Sequence, residues 1–466
     1  MAKVKNNNRH EENLLKTYDC SPFEINLIGK NKSNDERQII NNLVPKLCEL
    51  EIKPFKISGK PLEKDDNPLA YFDYQQNCWC AGRNIGQTWI TLDKKTYHIQ
   101  IDPRFGMNFL GKMLEDIFDF KSEHLRRVLA DNDISKNWDP LMQYIIHYIW
   151  IAKFSKADRY GLPRKMVKRS FQGDKIKGHL NLRRSIKPLL SKREVVSEYY
   201  ERDYDDNICK IIYQAYKILR RKKSLYGIPP IPEIVEESIH QLDSHYRQQD
   251  LIVRPKDYQS IRYKSIYQSW KPLVDFSWEK IIQAERLGLQ SANTKEESVF
   301  IDMAEIWEQF LRKTLEKELQ ADGWHCWSEE ERCISTYEEM FYIREIIPDI
   351  VLEKGNDVLV FDAKYKRMKG EKSDVDRSDF FQIHTYIQYF KSIGKNVICG
   401  GLLYPISNPD FDFKRAHSNT LFGLNLDDSK TKFIVDGIVC EEWKDDELEK
   451  NKQAFLDRIK RCINPV

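Results

Sequence analysis

Asp349, Asp362 and Lys364 are the residues of this chain whose types and spacing could do chemistry together. They lie in Pro348-Asp349-Ile350-Val351-Leu352-Glu353-Lys354-Gly355-Asn356-Asp357-Val358-Leu359-Val360-Phe361-Asp362-Ala363-Lys364. A Gly-Asn pair between two apolar, β-branched runs is a signal for a two-residue hairpin loop. With Gly355-Asn356 as that loop, position 354 faces 357 and, counting back, 349 faces 362. Side chains alternate along a strand, so Val358, Val360, Asp362 and Lys364 share a face that Asp349 meets from the opposite strand.

Two carboxylates placed roughly 4.5 to 5.5 Å apart across a sheet repel unless something neutralises them. The flanking Ile350, Leu352, Leu359 and Phe361 imply poor solvation, which raises that cost. A divalent cation is the simplest remedy, and carboxylate oxygens with room for water suit Mg²⁺ or Mn²⁺; no His or Cys lies in the stretch to favour zinc. Lys364 then belongs beside an attacking water or a scissile phosphate, as in metal-assisted phosphodiester hydrolysis. The bland alternative is an ordinary hairpin with solvated acids and lysines.

Such a hairpin needs elements to hold it. Upstream, apolar residues at 300, 303, 307, 310, 311 and 315 have helical spacing, which predicts one amphipathic helix from Val299 to Leu319. Glu308 falls at the edge of its apolar stripe, either as a third carboxylate near the cation or as the partner of a lysine. Downstream, Arg377 to Phe390 puts Phe380, Ile383, Ile387 and Phe390 on one helix face and Gln382, Tyr386 and Tyr389 on another. Asn396 to Pro405 reads as a further strand, completing a mixed sheet covered by helices. His384 has no partners at ligand spacing and reads as a packed or solvated histidine.

Pro348-Asp349, twelve residues, then Asp362-Ala363-Lys364 resembles the PD-(D/E)XK nuclease signature. Together with Trp307-Glu308, Asp362-Ala363-Lys364-Tyr365-Lys366 and Asp379-x-x-Gln382, it is similar to the nuclease subunit of McrBC-type restriction systems, the McrC family with its LlaJI-like relatives. Upstream segments extend the resemblance: Ile85-Gly86 with Tyr97 to Gly106 (including Pro103-Arg104), Lys177-Gly178 to Ile186, and Tyr204 to Ile208. The resemblance implies a fold of α/β (α+β) multi-domain type. Its parts would be a C-terminal PD-(D/E)XK restriction-endonuclease-like core, with helices flanking a mixed sheet, and a β-containing and helical N-terminal region before it.

It further implies a Mg²⁺- (or Mn²⁺-) dependent DNA endonuclease of an anti-phage restriction system. Asp349, Asp362 and the Ala363 backbone carbonyl would hold the metal, Lys364 would stabilise the nucleophile, and Glu308 and Gln382 would be auxiliary. The implied partners are double-stranded DNA and a McrB-like AAA+ GTPase ring, with dimerisation of nuclease domains as a further expectation. GTP would enter only through that partner, since no Gly-x4-Gly-Lys-Ser/Thr occurs in the chain. Two other readings stand beside it: an inactive nuclease-fold module that binds DNA or stimulates a GTPase, and a stand-alone repair nuclease.

Length and composition are compatible with this reading. A chain of 466 residues suits two or three domains, and 41% hydrophobic with 32% charged residues marks a globular protein. No apolar run approaches 18 residues, which argues against a membrane span and, with the polar Met1 to Glu12 start, predicts a cytoplasmic protein with a frayed N-terminus. The ten cysteines are scattered apart from Cys78 and Cys80, so reduced thiols are expected rather than a zinc site. A net charge of +3 does not by itself predict nucleic-acid binding. Local clusters say more: Lys165, Lys168, Arg169, Arg183 and Arg184 are candidates for phosphate contact, and Lys217 to Lys223 holds five cations. The expected organisation is an N-terminal extension over 1–60, a docking and DNA-contact region over 61–290, and the endonuclease domain over 291–466. Within it, an unstructured lead precedes a helix over Asp35 to Glu51, and Gly288 to Glu296 forms the approach to the nuclease domain.

Overall fold

A computed structural model describes residues 14–25, 32–49, 68–93, 95–119, 138–221, 228–247, 251–283, 285, 299–336, 344–366, 368, 375–407, 410–413, 417–418, 431–440 and 445–463. The expected frayed start at Met1 to Glu12 and the approach segment Gly288 to Glu296 lie outside the described residues. The chain divides into two compact units, one formed by residues 1–138 together with 295–466 and the other by 139–294. This departs from a linear order of 1–60, 61–290 and 291–466, because strands near the N-terminus pair within the unit that carries the hairpin.

In the first unit, β1 (Leu14–Tyr18), β2 (Glu24–Ile25), α1 (Lys32–Glu49), β3 (Asn84–Leu92), β4 (Lys95–Asp102) and α2 (Met107–Phe118) form the N-terminal part. The lead expected to be unstructured thus contributes β1, which runs parallel to β4 with Lys16 opposite Gln100. β3 and β4 form a hairpin, with Leu92 opposite Lys95, and Tyr97, Ile99 and Ile101 turn inward and are buried. The second unit, taken by itself, contains α3 (Trp138–Ala157), β5 (Arg164–Gly173), β6 (His179–Leu180), α4 (Leu182–Lys192), β7 (Val195–Tyr204), α5 (Asp206–Arg221) and α6 (Glu233–Tyr246). Its sheet has the order β5-β7-β6. Within α4 the usual amphipathic arrangement is reversed: Ser185 is buried, while Leu182, Ile186, Leu189 and Leu190 are exposed at positions that share one helical stripe.

The chain re-enters the first unit through β8 (Val299–Asp302), then α7 (Met303–Leu319), β9 (His325–Cys326), β10 (Ile350–Lys354), β11 (Asp357–Ala363), α8 (Arg377–Ser392), β12 (Asn396–Ile406), β13 (His417–Ser418), β14 (Lys432–Val439) and α9 (Asp445–Ile463). The single helix expected from Val299 is therefore a strand followed by a helix. Phe300 and Ile301 pair with Gly86 and Ile85 of β3, and the Asp302 carboxylate accepts the Ala304 amide at 2.9 Å, capping α7. One sheet has the order β8-β3-β4-β1-β2 and the other β9-β10-β11-β12-β14-β13.

The second of these sheets is mixed: β10 and β11 are antiparallel, while β11, β12 and β14 run parallel. Val351, Leu352, Val358, Leu359, Val360 and Phe361 are all fully buried, so both faces of the hairpin are covered. α7, α8 and α9 pack against this sheet. Ile383, Ile387 and Phe390 of α8 are each fully buried, which stabilises by roughly 1.5–3 kcal/mol per side chain. Gly400 permits that approach, since a Cβ there would lie 2.6 Å from Ile387. The fold is thus of the expected class, mixed α/β and multi-domain. All ten cysteines are free thiols, with Cys78 and Cys80 sulfurs 3.9 Å apart. Among the described residues, no helix is long and apolar enough to cross a membrane.

Candidate active site

The hairpin register is the one its turn dictates: Lys354 pairs with Asp357 and Ile350 with Phe361. Gly355 takes a positive φ of 62°, which glycine tolerates and the turn requires. Continuing the register sets Asp349, one residue before β10, opposite Asp362 near the end of β11. The Ala363 amide donates to Asp349 Oδ2 at 2.8 Å, which joins the Pro348-Asp349 bend to the other strand.

Lys364, one residue past β11, turns back to the pair. Its Nζ lies 2.6 Å from Asp362 Oδ2 and donates to Gln382 Oε1 at 2.9 Å, with Asp379 Oδ1 at 3.6 Å. Gln382 in turn donates to the Tyr386 hydroxyl at 2.8 Å, and Tyr386 donates to the Ile347 carbonyl at 3.3 Å. The expected convergence of Asp349, Asp362, Lys364 and Gln382 is therefore present. Asp379 and Lys366 join it: Lys366 Nζ bonds Asp379 Oδ2 at 2.7 Å and also pairs with Asp376. The Asp-x-x-Gln spacing on α8 is the signal that finds Asp379, one turn from Gln382.

Among the described residues, Glu308 does not form one metal-holding cluster with the two aspartates. It accepts from Arg332 Nη1 at 2.8 Å, and that guanidinium also bonds the Pro348 carbonyl at 3.0 Å and the Asp349 carbonyl. Arg332 is 2% exposed, so its charge is held inside the fold by Glu308 and two backbone oxygens. In sequence Arg332 ends the charge run Glu329-Glu330-Glu331-Arg332, which carries no sign that the last member is buried. Of the candidate phosphate contacts, Lys165 pairs with Asp205 at 2.9 Å, Lys168 with Glu198 at 2.5 Å, Arg169 with Asp203, and Arg184 with Glu198 at 3.9 Å. Arg183 lies exposed in the first turn of α4.

Electrostatics agree with the geometry. Burial, the Asp362 charge and a hydrogen bond shared with Asp362 push the Asp349 carboxyl well above its usual range. Burial works against the charged form of Lys364, but Asp362 outweighs it and raises the ammonium above its ordinary value. The pocket thus holds two acids against one close ammonium. Two carboxylates and the adjoining Ala363 backbone carbonyl are hard oxygen donors, a set that fits Mg²⁺ or Mn²⁺ retaining water ligands. Among the described residues, no group of three or more His, Cys, Asp or Glu is placed to hold a metal, so the fit rests on this smaller set.

The Asp349 shift has a measurable consequence. Between the ordinary carboxyl range and the raised value, the native state holds a proton that the unfolded chain releases, so the metal-free fold loses stability as pH rises through that window. A cation bound to the carboxylate must displace the same proton. Mn²⁺ affinity, measured by calorimetry, is expected to rise by about tenfold per pH unit within the window and level off above it. Asp349→Asn flattens the dependence; a wild-type affinity independent of pH would contradict the assigned protonation.

A family model described as the McrBC 5-methylcytosine restriction system component matches residues 89–405. No curated protein matches the chain significantly. Among solved structures, a half-complex from a tetradecameric assembly of Thermococcus gammatolerans McrB AAA+ hexamers with bound McrC contains a similar chain. That match has 15% identity and a TM-score of 0.47, covering 96% of this chain and 100% of that one. A chain of the Thermococcus gammatolerans McrBC complex, solved by cryo-EM, matches at 13% identity and a TM-score of 0.34, covering 66% of this chain and 88% of that one.

Proposed function

The chain belongs to the family of McrBC 5-methylcytosine restriction system components, and from this premise we propose that it is the system's DNA endonuclease subunit, dependent on a divalent metal and licensed by an AAA+ GTPase partner. The observation that carries this reading is the meeting of Asp349, Asp362 and Lys364 at the mouth of one hairpin. Asp349, Asp362 and the Ala363 carbonyl are the residues that would hold Mg²⁺ or Mn²⁺. When bound, the metal supplies Lewis-acid stabilisation of charge on the scissile phosphate and lowers the pKa of a coordinated water.

The protein's own groups do the rest. Lys364 carries a positive charge where a hydroxide or phosphorane needs one, and Gln382 and Asp379 hold its ammonium in place. Arg332 and Glu308 fix the backbone of Pro348-Asp349, so Glu308 supports the site through Arg332. The Lys165, Lys168, Arg169, Arg183 and Arg184 cluster is our candidate for DNA phosphate contact, with acids of β7 and Asp205 as its competitors for those cations.

Family membership supports the reading of partner dependence. The outward stripe of α4 offers the partner a surface: Leu182 is 72%, Ile186 59% and Leu190 84% exposed. Leu190→Asp is expected to weaken partner-stimulated cleavage at least about tenfold, as loss of a central apolar anchor does, with the melting temperature unchanged. Stimulation equal to wild type in a titration of the GTPase would remove α4 from the docking surface.

The deciding experiment incubates the full chain with double-stranded DNA and Mg²⁺, with and without a McrB-type GTPase and GTP. Cutting only with the partner is the expected result. Cutting by the chain alone favours a stand-alone nuclease, and GTPase stimulation without cutting favours an inactive nuclease-fold module.

A further inference from the structure

Tyr365 follows Lys364 directly and is 4% exposed, yet its neighbours come from the far N-terminal part of the same compact unit. The Arg104 guanidinium lies 4.5 Å from the centre of the Tyr365 ring and 4.8 Å from that of Phe105. Behind it stands Asp19, fully buried, whose Oδ1 accepts the Arg104 amide at 2.5 Å and whose Oδ2 lies 3.7 Å from Arg104 Nε. A guanidinium set over the Tyr365 ring, close to the Phe105 ring that meets that ring edge-on, and neutralised by a buried carboxylate has little freedom.

The same segment reaches the other arm of the site. Phe105 packs edge-on against Phe109 at 5.8 Å, and Phe109 lies 6.3 Å from Trp307, the residue before Glu308. Trp307 donates from Nε1 to the Leu403 carbonyl at 3.2 Å, the same oxygen that accepts the Lys364 amide at 2.9 Å. Lys364 is anchored at its amide by Leu403 and at its ammonium by Asp362, Gln382 and Asp379, and the next residue, Tyr365, is a further point at which the chain just past β11 is held.

We infer that Arg104, ion-paired to Asp19 and stacked on Tyr365, is a positioning residue that aims Lys364 at the reacting phosphate. The inference rests on the nuclease reading above. It assigns the Asp19 and Arg104 segments to the catalytic machinery itself, in addition to any docking role of the N-terminal region. Arg104 lies over the Tyr365 ring, while the Tyr365 hydroxyl faces Asp19; the ring is the part the positioning depends on.

The test compares Tyr365→Leu with Tyr365→Phe in the full chain with its GTPase partner, DNA and Mg²⁺, normalised to folded protein. Misplacement of a reacting group by about 1 Å costs on the order of 10²-fold. Tyr365→Leu is therefore expected to lower kcat by about 10²-fold with KM for DNA unchanged, whereas Tyr365→Phe, which keeps the ring, cuts like wild type. Arg104→Lys keeps the charge opposite Asp19 but loses the planar stack, and is expected to lower kcat about tenfold; it carries the test if Tyr365→Leu does not fold. Wild-type kcat in folded Tyr365→Leu, or in Arg104→Lys where the leucine variant is unfolded, overturns the positioning role alone. A wild-type protein that cuts nothing in the same assay overturns the nuclease reading and this inference with it.

Discussion

Asp362→Ala is expected to lower DNA cleavage by on the order of 10³-fold or more while leaving the fold intact, since loss of a metal-holding carboxylate forfeits several kcal/mol of charge stabilisation. The fold survives for reasons visible around the residue. Lys364 keeps Gln382 Oε1 at 2.9 Å and Asp379 Oδ1 at 3.6 Å, so its ammonium stays partnered. The Ala363 amide keeps Asp349 Oδ2. Removing Asp362 also takes away one of the causes that raise Asp349, so the Asp349 carboxyl ionises more readily, and the cavity left by the side chain is small. Cleavage rates under Mg²⁺ with partner and GTP, read beside the thermal midpoint, check both halves. Cutting at the wild-type rate would remove Asp362 from the site; a collapse of the midpoint would mark it as structural.

Arg332→Met is expected to cost about 3 kcal/mol of stability and to disturb the site without touching an acid. Methionine fills much of the arginine's volume, so packing is not the main loss. The loss is of donors: the Pro348 and Asp349 carbonyls and the Glu308 carboxylate all meet the Arg332 guanidinium. Glu308 is 23% exposed, so water can replace part of its share and the buried carbonyls carry most of the penalty. The urea midpoint should fall, and cleavage with it, because the bend that presents Asp349 loses its anchor. An unchanged midpoint would show that the three contacts add no net stability.

Where signals were local, the chain was legible. The Gly355-Asn356 turn set the hairpin register and thereby placed Asp349 opposite Asp362. Helical spacing located Arg377–Ser392, and Gln382 on it does reach Lys364. Local periodicity failed where a distant partner decided the outcome. Val299 to Ile301 fit the apolar spacing of the following helix, but pairing with β3, more than two hundred residues earlier, makes them a strand. Leu14–Tyr18 likewise becomes a strand because β4 offers it an edge. Glu308 was legible as an acid out of place on its helix, and only the fold showed that it meets the buried Arg332.

By itself the sequence determined the hairpin, the facing of its two aspartates and the lysine two residues on, because turn chemistry and strand alternation act over a few residues. Only the tertiary structure decided which charges surround them. It buried Arg332 under Glu308 and brought Asp379 beside Lys364. It also set Arg104 of the N-terminal part against Tyr365. Charge compensation in a buried site depends on which distant groups share its low-dielectric space, and no periodicity along the chain records that.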